Sequence, residues 1–225
     1  MLRTANGFTI KDNRLVLFCP KGQLFGKPLT PVQVNELRRY IKLQQLLSML
    51  PPLTAPPGPF YIYPTNREED LDDYPFKGQR VSEELFEIFD EELASSWRSY
   101  GGYVYAIGSW EDYYLFRIPG RYISSDIALF RLENDRMKRI ETVAWMWCDQ
   151  GWCNQQHAWL VDLDRDGRFD IVNRYQFTDN KGRLVEDDIR AMRQMANGLF
   201  EDDPNLLPDP AVFQPGPVPM PAPMR

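Results

Sequence analysis

The sequence predicts an α+β fold in which mostly antiparallel strands form a meander over about residues 103–177, with flanking helices and a proline-rich C-terminal tail. That region carries short segments rich in aromatic and β-branched residues, separated by turn residues. Consecutive strands joined by short turns become neighbours in the sheet, which favours a meander. The hydrophobic fraction of 43% and the aromatic fraction of 13% suit a packed core and exclude a globally disordered chain.

The N-terminal part of the chain predicts a hairpin followed by a helix. The segment 7–18, GFTIKDNRLVLF, has two strand-like halves with a turn at Asp12 and Asn13. Downstream, Thr30 suits a helix N-cap, and Gln33 completes a capping box. Apolar residues then recur at helical spacing until a pair of prolines, which ends the helix.

Two more helices are predicted around the strands. One begins with Ser82 as its N-cap and runs to about Trp97; the other covers 185–197, with Gly198 as a C-terminal cap. The proline-rich tail is expected to be extended or disordered. The chain is thereby predicted to divide into a hairpin and helical arm at 1–50, a proline-rich linker at 51–60, an α+β domain at 61–203 and a tail at 204–225.

The charge and hydropathy of the sequence argue against nucleic-acid binding, a transmembrane helix and a secretory signal. With a net charge of −6 and no basic run, the chain lacks the clustered positive surface that nucleic-acid binding needs. No stretch approaches the roughly 20 apolar residues that a transmembrane helix requires. The N-terminus also lacks the apolar stretch of a secretory signal.

The cysteines leave the cellular compartment open. There are three, and two of them, Cys148 and Cys153, lie in WCDQGWCN with a glycine between them that permits a tight turn. They are interpreted either as free thiols or as a short-loop disulfide that forms in an oxidising compartment. An oxidised pair favours an extracellular or cell-envelope location, and a reduced pair favours the cytoplasm.

The segment WLVDLDRDGRFDIV concentrates four aspartates and one glycine within nine residues. Carboxylates at this density repel one another, and a cation that binds them removes the repulsion. Calcium takes six to eight oxygen ligands at about 2.3–2.6 Å, and a short loop of alternating carboxylates can surround it. The glycine permits the sharp turn that such a loop needs. The candidate ligands are the side chains of Asp162, Asp164, Asp166 and Asp170 and the backbone carbonyl of Arg168.

This loop differs from a helix–loop–helix calcium site, because the twelfth position is Asn173 and the flanking segments predict strands. The segment instead resembles the D-x-D-x-D-G-x-x-D calcium loop of FG-GAP/VCBS-type repeats, in which one strand enters the loop and a hydrophobic strand follows. The resemblance implies calcium ligation by the same five residues. It covers about fourteen residues and occurs once, so it does not extend to the propeller fold of that family. The wider segment resembles uncharacterised bacterial proteins that carry the loop once.

These observations favour a non-enzymatic calcium-binding structural or interaction protein, with a place in a larger bacterial surface or secreted assembly. The alternative is a magnesium-dependent phosphohydrolase, because an apolar strand ending in DLDRDG resembles the first motif of haloacid-dehalogenase-type phosphatases. That resemblance implies Asp162 as nucleophile and Asp164 as general acid/base. Asp166 stands where that motif has Thr or Val, and few βαβ units follow.

Other candidate residues have a structural interpretation beside a functional one. His157 is the only histidine, and it is expected to be packed and hydrogen-bonded rather than part of a catalytic relay. Trp145 and Trp147 share one face of a strand, where they either pack in the core or form an aromatic platform. A protein partner or an oligomeric assembly is expected, with the helical arm and the proline-rich tail available for contacts.

Overall fold

The structure is a computed structural model that describes residues 7–19, 22–53, 58–65, 74–120 and 125–216. The chain divides into two compact units, residues 1–47 and residues 48–225. Parts of the predicted linker (54–57) and of the predicted tail (217–225) lie outside the described residues. None of the described helices is long and apolar enough to cross a lipid bilayer.

The first unit begins with an antiparallel three-stranded sheet of β1 (Gly7–Lys11), β2 (Arg14–Cys19) and β3 (Gly22–Pro28). The predicted hairpin turn is confirmed, since Asp12 and Asn13 have φ angles of 49° and 56°, as a two-residue turn with left-handed residues requires.

Helix α1 (Pro31–Ser48) follows the first sheet. The predicted capping box is confirmed. The backbone N–H of Gln33 donates to Thr30 Oγ1 at 3.3 Å, and the backbone N–H of Thr30 donates to Gln33 Oε1 at 3.0 Å. These reciprocal bonds satisfy two backbone donors near the start of the helix.

The second unit is built on a sheet that runs from β5 to β13 in sequence order, with β4 paired to β10. Every pairing between these strands is antiparallel, so the predicted β-meander is confirmed, and it continues beyond residue 177. The strands are β4 (Phe60–Ile62), β5 (Gln79–Arg80), β6 (Tyr105–Trp110), β7 (Tyr113–Pro119), β8 (Ser125–Glu133), β9 (Arg136–Asp149), β10 (Trp152–Val161), β11 (Asp170–Thr178), β12 (Leu184–Gln194) and β13 (Phe200–Asp202).

The predicted helix at 185–197 is wrong, because this segment forms strand β12. Its composition suits a helix, but it pairs with β11 along most of its length, and tertiary pairing overrides intrinsic propensity. Ile189 packs against the cluster around Trp159, whereas Met192 packs against the main core. Gly198, with φ of 78°, lies in the turn to β13 rather than at a helix end.

The predicted helix from Ser82 to Trp97 is interrupted. Glu83–Ile88 form a 3₁₀ helix, and α2 begins only at Glu91 and ends at Tyr100. The break occurs at Phe89, whose extended backbone bridges to Met137 of β9. The Phe89 ring is fully buried against three aromatic rings of Trp97, Phe116 and Phe130, and this burial explains why the chain leaves the helix there.

In the described part of the predicted tail, residues 204–216, most side chains are exposed and no helix or strand forms, but Leu206 and Phe213 are buried. Phe213 is buried at 4% exposure against Trp159 and Val172 of β10 and β11. The guanidinium of Arg174 donates from Nη1 to the carbonyls of Pro210 and Phe213, at 2.9 and 2.7 Å. These contacts hold the start of the tail on one face of the sheet.

Candidate metal centre

The aspartate-rich segment is the connection between two paired strands of the sheet. Strand β10 ends at Val161 and β11 begins at Asp170, and these two residues face each other in the register. The loop therefore starts and ends at a fixed point of the sheet. Arg165 and Gly167 adopt left-handed backbone conformations, with φ of 63° and 86°. The left-handed turn at Gly167 carries no steric penalty because the residue has no Cβ.

Three of the four aspartates come together in this loop. Oxygens of Asp162, Asp164 and Asp166 all lie within 4.8 Å of one another, and the three residues are exposed. Two ligands of one calcium ion at about 2.4 Å each are at most about 4.8 Å apart, so the spacing of these oxygens permits a common ion. Among the described residues, no other group of three or more His, Cys, Asp or Glu side chains has this spacing.

Backbone N–H groups of the loop orient the carboxylates. Asp162 accepts from the N–H groups of Asp166 and Gly167, at 3.1 and 3.0 Å, and Asp164 also accepts from Asp166, at 3.2 Å. Asp166 in turn accepts from the N–H of Arg168 at 2.9 Å. The loop thus turns its donors toward its own acidic side chains, which reduces the repulsion between them.

Two arginines offset part of the negative charge of the loop. Arg168 donates from Nε and Nη2 to Asp166 Oδ2, at 3.0 and 2.6 Å. Arg193 of β12 donates to Asp164 Oδ2 at 2.6 Å and to Asp203 Oδ2 at 2.7 Å. Hydrogen bonds from the backbone and side chain of Arg168 lower the pKa of Asp166. The two guanidinium groups therefore offset part of the negative charge of the loop, and they would compete with a cation bound to Asp164 or Asp166.

Asp170 has a different environment from the other three aspartates. It is 2% exposed, and its two oxygens accept from the N–H groups of Leu163 at 3.1 Å and Gln194 at 3.3 Å. Burial raises the pKa of this carboxyl, although both hydrogen bonds oppose the shift. Asp170 thus braces the loop against β12 and lies outside the group of three. Each of its oxygens retains a further lone pair for a ligand bond.

The sequence interpretation did not find Arg193 and Gln194, which contact the loop from a strand more than twenty residues downstream. Neither residue belongs to a motif, and β12 itself was predicted as a helix. Only the pairing of β12 with β11 places their groups beside the loop.

The two cysteines near the candidate centre are joined. Cys148 of β9 and Cys153 of β10 face each other in the register and form a disulfide across the hairpin. Cys153 therefore offers no thiol to His157, and no Cys–His nucleophile exists at this position.

His157 is packed, as expected. It is fully buried, its ring stacks on that of Tyr61, and its Nδ1 lies 2.8 Å from Tyr61 Oη. Burial, followed by the nearby charge of Arg174, lowers the pKa of His157 to about 4. The imidazole is therefore neutral in the folded protein near pH 7.

This burial predicts a pH dependence of stability. The unfolded chain binds a proton on His157 below about pH 6.5, whereas the folded chain does so only near pH 4. The contribution is therefore fully present above pH 6.5 and is lost as the pH falls toward 4, by up to about 1.4 kcal/mol per pH unit. Urea unfolding at several pH values should show this slope in the wild type and a shallower one in His157→Gln. Equal slopes would contradict the assignment.

Comparison with protein-family models, curated proteins and solved structures finds no match to this chain. The protein is therefore classified by its structure: it is an antiparallel β-meander with an acidic loop that connects two adjacent strands, β10 and β11.

Proposed function

We propose that the chain is a non-enzymatic calcium-binding structural or interaction protein, in which calcium clamps the 162–170 loop. The observation that carries this proposal is the convergence of Asp162, Asp164 and Asp166 within 4.8 Å. The donor set consists of carboxylates, the ligands that calcium prefers. The Arg168 carbonyl and Asp170 complete the proposed ligand set on the strength of the sequence resemblance.

The neighbourhood of the loop favours a structural role for the ion. The loop ends are held by the β10–β11 register, and Arg193 links Asp164 to Asp203 beyond β13. A cation at this point would stiffen a connection between central strands. The disulfide between Cys148 and Cys153 supports a location in an oxidising compartment, and calcium outside the cell is abundant enough to fill a weak site. We propose on this basis a place in a bacterial surface or secreted assembly.

The alternative magnesium phosphohydrolase gains no support from the sheet. The strand before Asp162 is antiparallel to both β9 and β11, whereas phosphatases of the haloacid-dehalogenase type use a doubly wound parallel sheet. Arg193 also donates to Asp164 Oδ2. A carboxylate held in an ion pair is poorly placed to donate a proton to a substrate, as a general acid must.

Isothermal titration calorimetry tests calcium binding directly. The metal-free wild type should bind one calcium ion and bind magnesium far more weakly, because magnesium demands near-ideal octahedral geometry and gives up its water ligands reluctantly, whereas calcium accepts irregular sets of oxygen ligands. Asp164→Asn/Asp166→Asn should weaken calcium binding by at least about 100-fold, since substitutions of outer-shell groups alone cost 10–100-fold.

The charge-matched control is Glu83→Gln/Asp112→Asn, which removes two exposed carboxylates outside the loop and should leave the affinity unchanged. If the wild type takes up no calcium, or if both double variants bind it equally, the proposal fails.

A further inference from the structure

A cleft in the second unit lies on the face of the sheet that carries the main core. It consists of two adjoining cavities of about 470 and 230 Å³, which share Trp145 and Gln156. The larger volume lies in the range of small-molecule sites. The larger cavity is also lined by Asp126, Glu141, Thr142, Met146, Trp147 and Asn154, and the smaller by Asn173, Tyr175, Asp188 and Arg190.

The strand register explains why these side chains share a cleft. Trp145 faces Gln156, Gln156 faces Tyr175, and Tyr175 faces Asp188 across β9, β10, β11 and β12. Residues directly opposite each other in antiparallel strands project from the same face. A few positions along the same strands this face carries core residues such as Ile171. The cleft therefore begins where the apolar core gives way to polar and aromatic side chains.

The polar groups of the cleft are held in place by the folded sheet. Gln156 Nε2 donates to the carbonyls of Thr142 and Val143, at 3.0 and 3.3 Å. The Tyr175 hydroxyl donates to Asn154 Oδ1 at 2.6 Å. Because these bonds orient the side chains without any ligand, the site is largely preformed, as small-molecule sites usually are.

The charged residues that line the cleft indicate which class of ligand it would bind. Asp126 and Glu141 are the charged residues among the described lining of the larger cavity. In the smaller cavity, Asp188 accompanies Arg190, which is 3.6 Å from Asp202. The described lining of the two cavities thus carries three carboxylates and one guanidinium group, a balance that favours a cation over a phosphate or carboxylate. Burial raises the pKa of Glu141, although a hydrogen bond from the Thr142 N–H and the positive charges of Arg190 and Arg139 oppose the shift.

We propose that this cleft binds a small organic cation through an alkylammonium group, seated beside the indoles of Trp145 and Trp147 with Glu141 as its counter-charge. Tryptophan is the side chain that best attracts such a cation, within about 6 Å of its ring. The proposal concerns a second site, separate from the aspartate loop, and does not depend on calcium.

Calorimetric titration with choline tests the proposal, with 3,3-dimethylbutan-1-ol as its neutral isostere and EDTA present throughout. Choline should bind saturably with a millimolar or tighter Kd, and the neutral isostere at least about tenfold more weakly. Glu141→Gln should weaken choline binding about tenfold. Glu133→Gln removes a carboxylate outside the cleft, in the β8–β9 hairpin, and should have no effect.

A spectroscopic measurement on the wild type avoids dependence on any variant. In an ¹H–¹⁵N spectrum, choline should shift the indole signals of Trp145 and Trp147. The signal of Trp110, which packs against Phe60 and Phe169, should stay in place. The proposal is overturned by equal affinity for choline and its isostere, by unchanged affinity in Glu141→Gln, or by no binding of choline at all.

Discussion

We expect saturating calcium to raise the melting temperature of the wild type by about 5–10 °C relative to EDTA. A ligand that binds only the folded state at 100 times its Kd adds about 2.7 kcal/mol to the free energy of unfolding. In a domain of this size, each kcal/mol corresponds to about 2–4 °C. Differential scanning calorimetry at several calcium concentrations should show a continuous rise, because the effect follows mass action.

The variant Asp164→Asn/Asp166→Asn should lose the calcium-dependent rise while melting near the wild-type temperature in EDTA. Both residues are exposed, and their ion pairs with Arg193 and Arg168 involve partly exposed groups, which contribute about 0–1 kcal/mol each. An equal rise in this variant would place the stabilising calcium elsewhere. Identical wild-type curves in calcium and EDTA would remove the structural role of the ion.

The second large effect is expected where the tail meets the sheet. Phe213→Ala should lower the free energy of unfolding by about 3–5 kcal/mol, because it leaves a cavity beside Trp159 and Val172. Arg174→Met should cost about 3 kcal/mol. The side chain of Arg174 is 8% exposed and contacts both oxygens of Asp187, at 2.7 and 2.6 Å. Urea unfolding followed by circular dichroism measures both changes.

Arg190→Met is the matched control for the tail experiment. Arg190 lies on β12 and pairs with Asp202 at 3.6 Å, with both side chains more than half exposed, so its loss should cost less than about 1 kcal/mol. Since Arg174 and Phe213 hold the same segment, the double variant should cost less than the sum of the single variants. Strict additivity, or a cost for Arg174→Met no larger than the control, would mean that the tail does not depend on this contact.

The short-range features of the protein were predictable from the sequence because their causes lie within a few residues. The Thr30–Gln33 capping box and the Asp12–Asn13 turn depend on bonds and backbone angles inside one short segment. The run of strands from residue 103 follows from the alternation of aromatic and β-branched segments with turns. The spacing of Asp162, Asp164 and Asp166 likewise determined that three carboxylates could share one centre.

The tertiary structure decided what depends on residues far apart in the chain. β12 is a strand because β11 offers it a paired edge, although its composition favours a helix. The Gln194 N–H donates to Asp170, and Arg193 donates to Asp164, because that pairing carries β12 past the loop. The cleft forms because Trp145 lies opposite Gln156 on the neighbouring strand. Phe213 is buried because it packs on Trp159 and Val172, which lie far from it in the sequence. No local pattern specifies either contact.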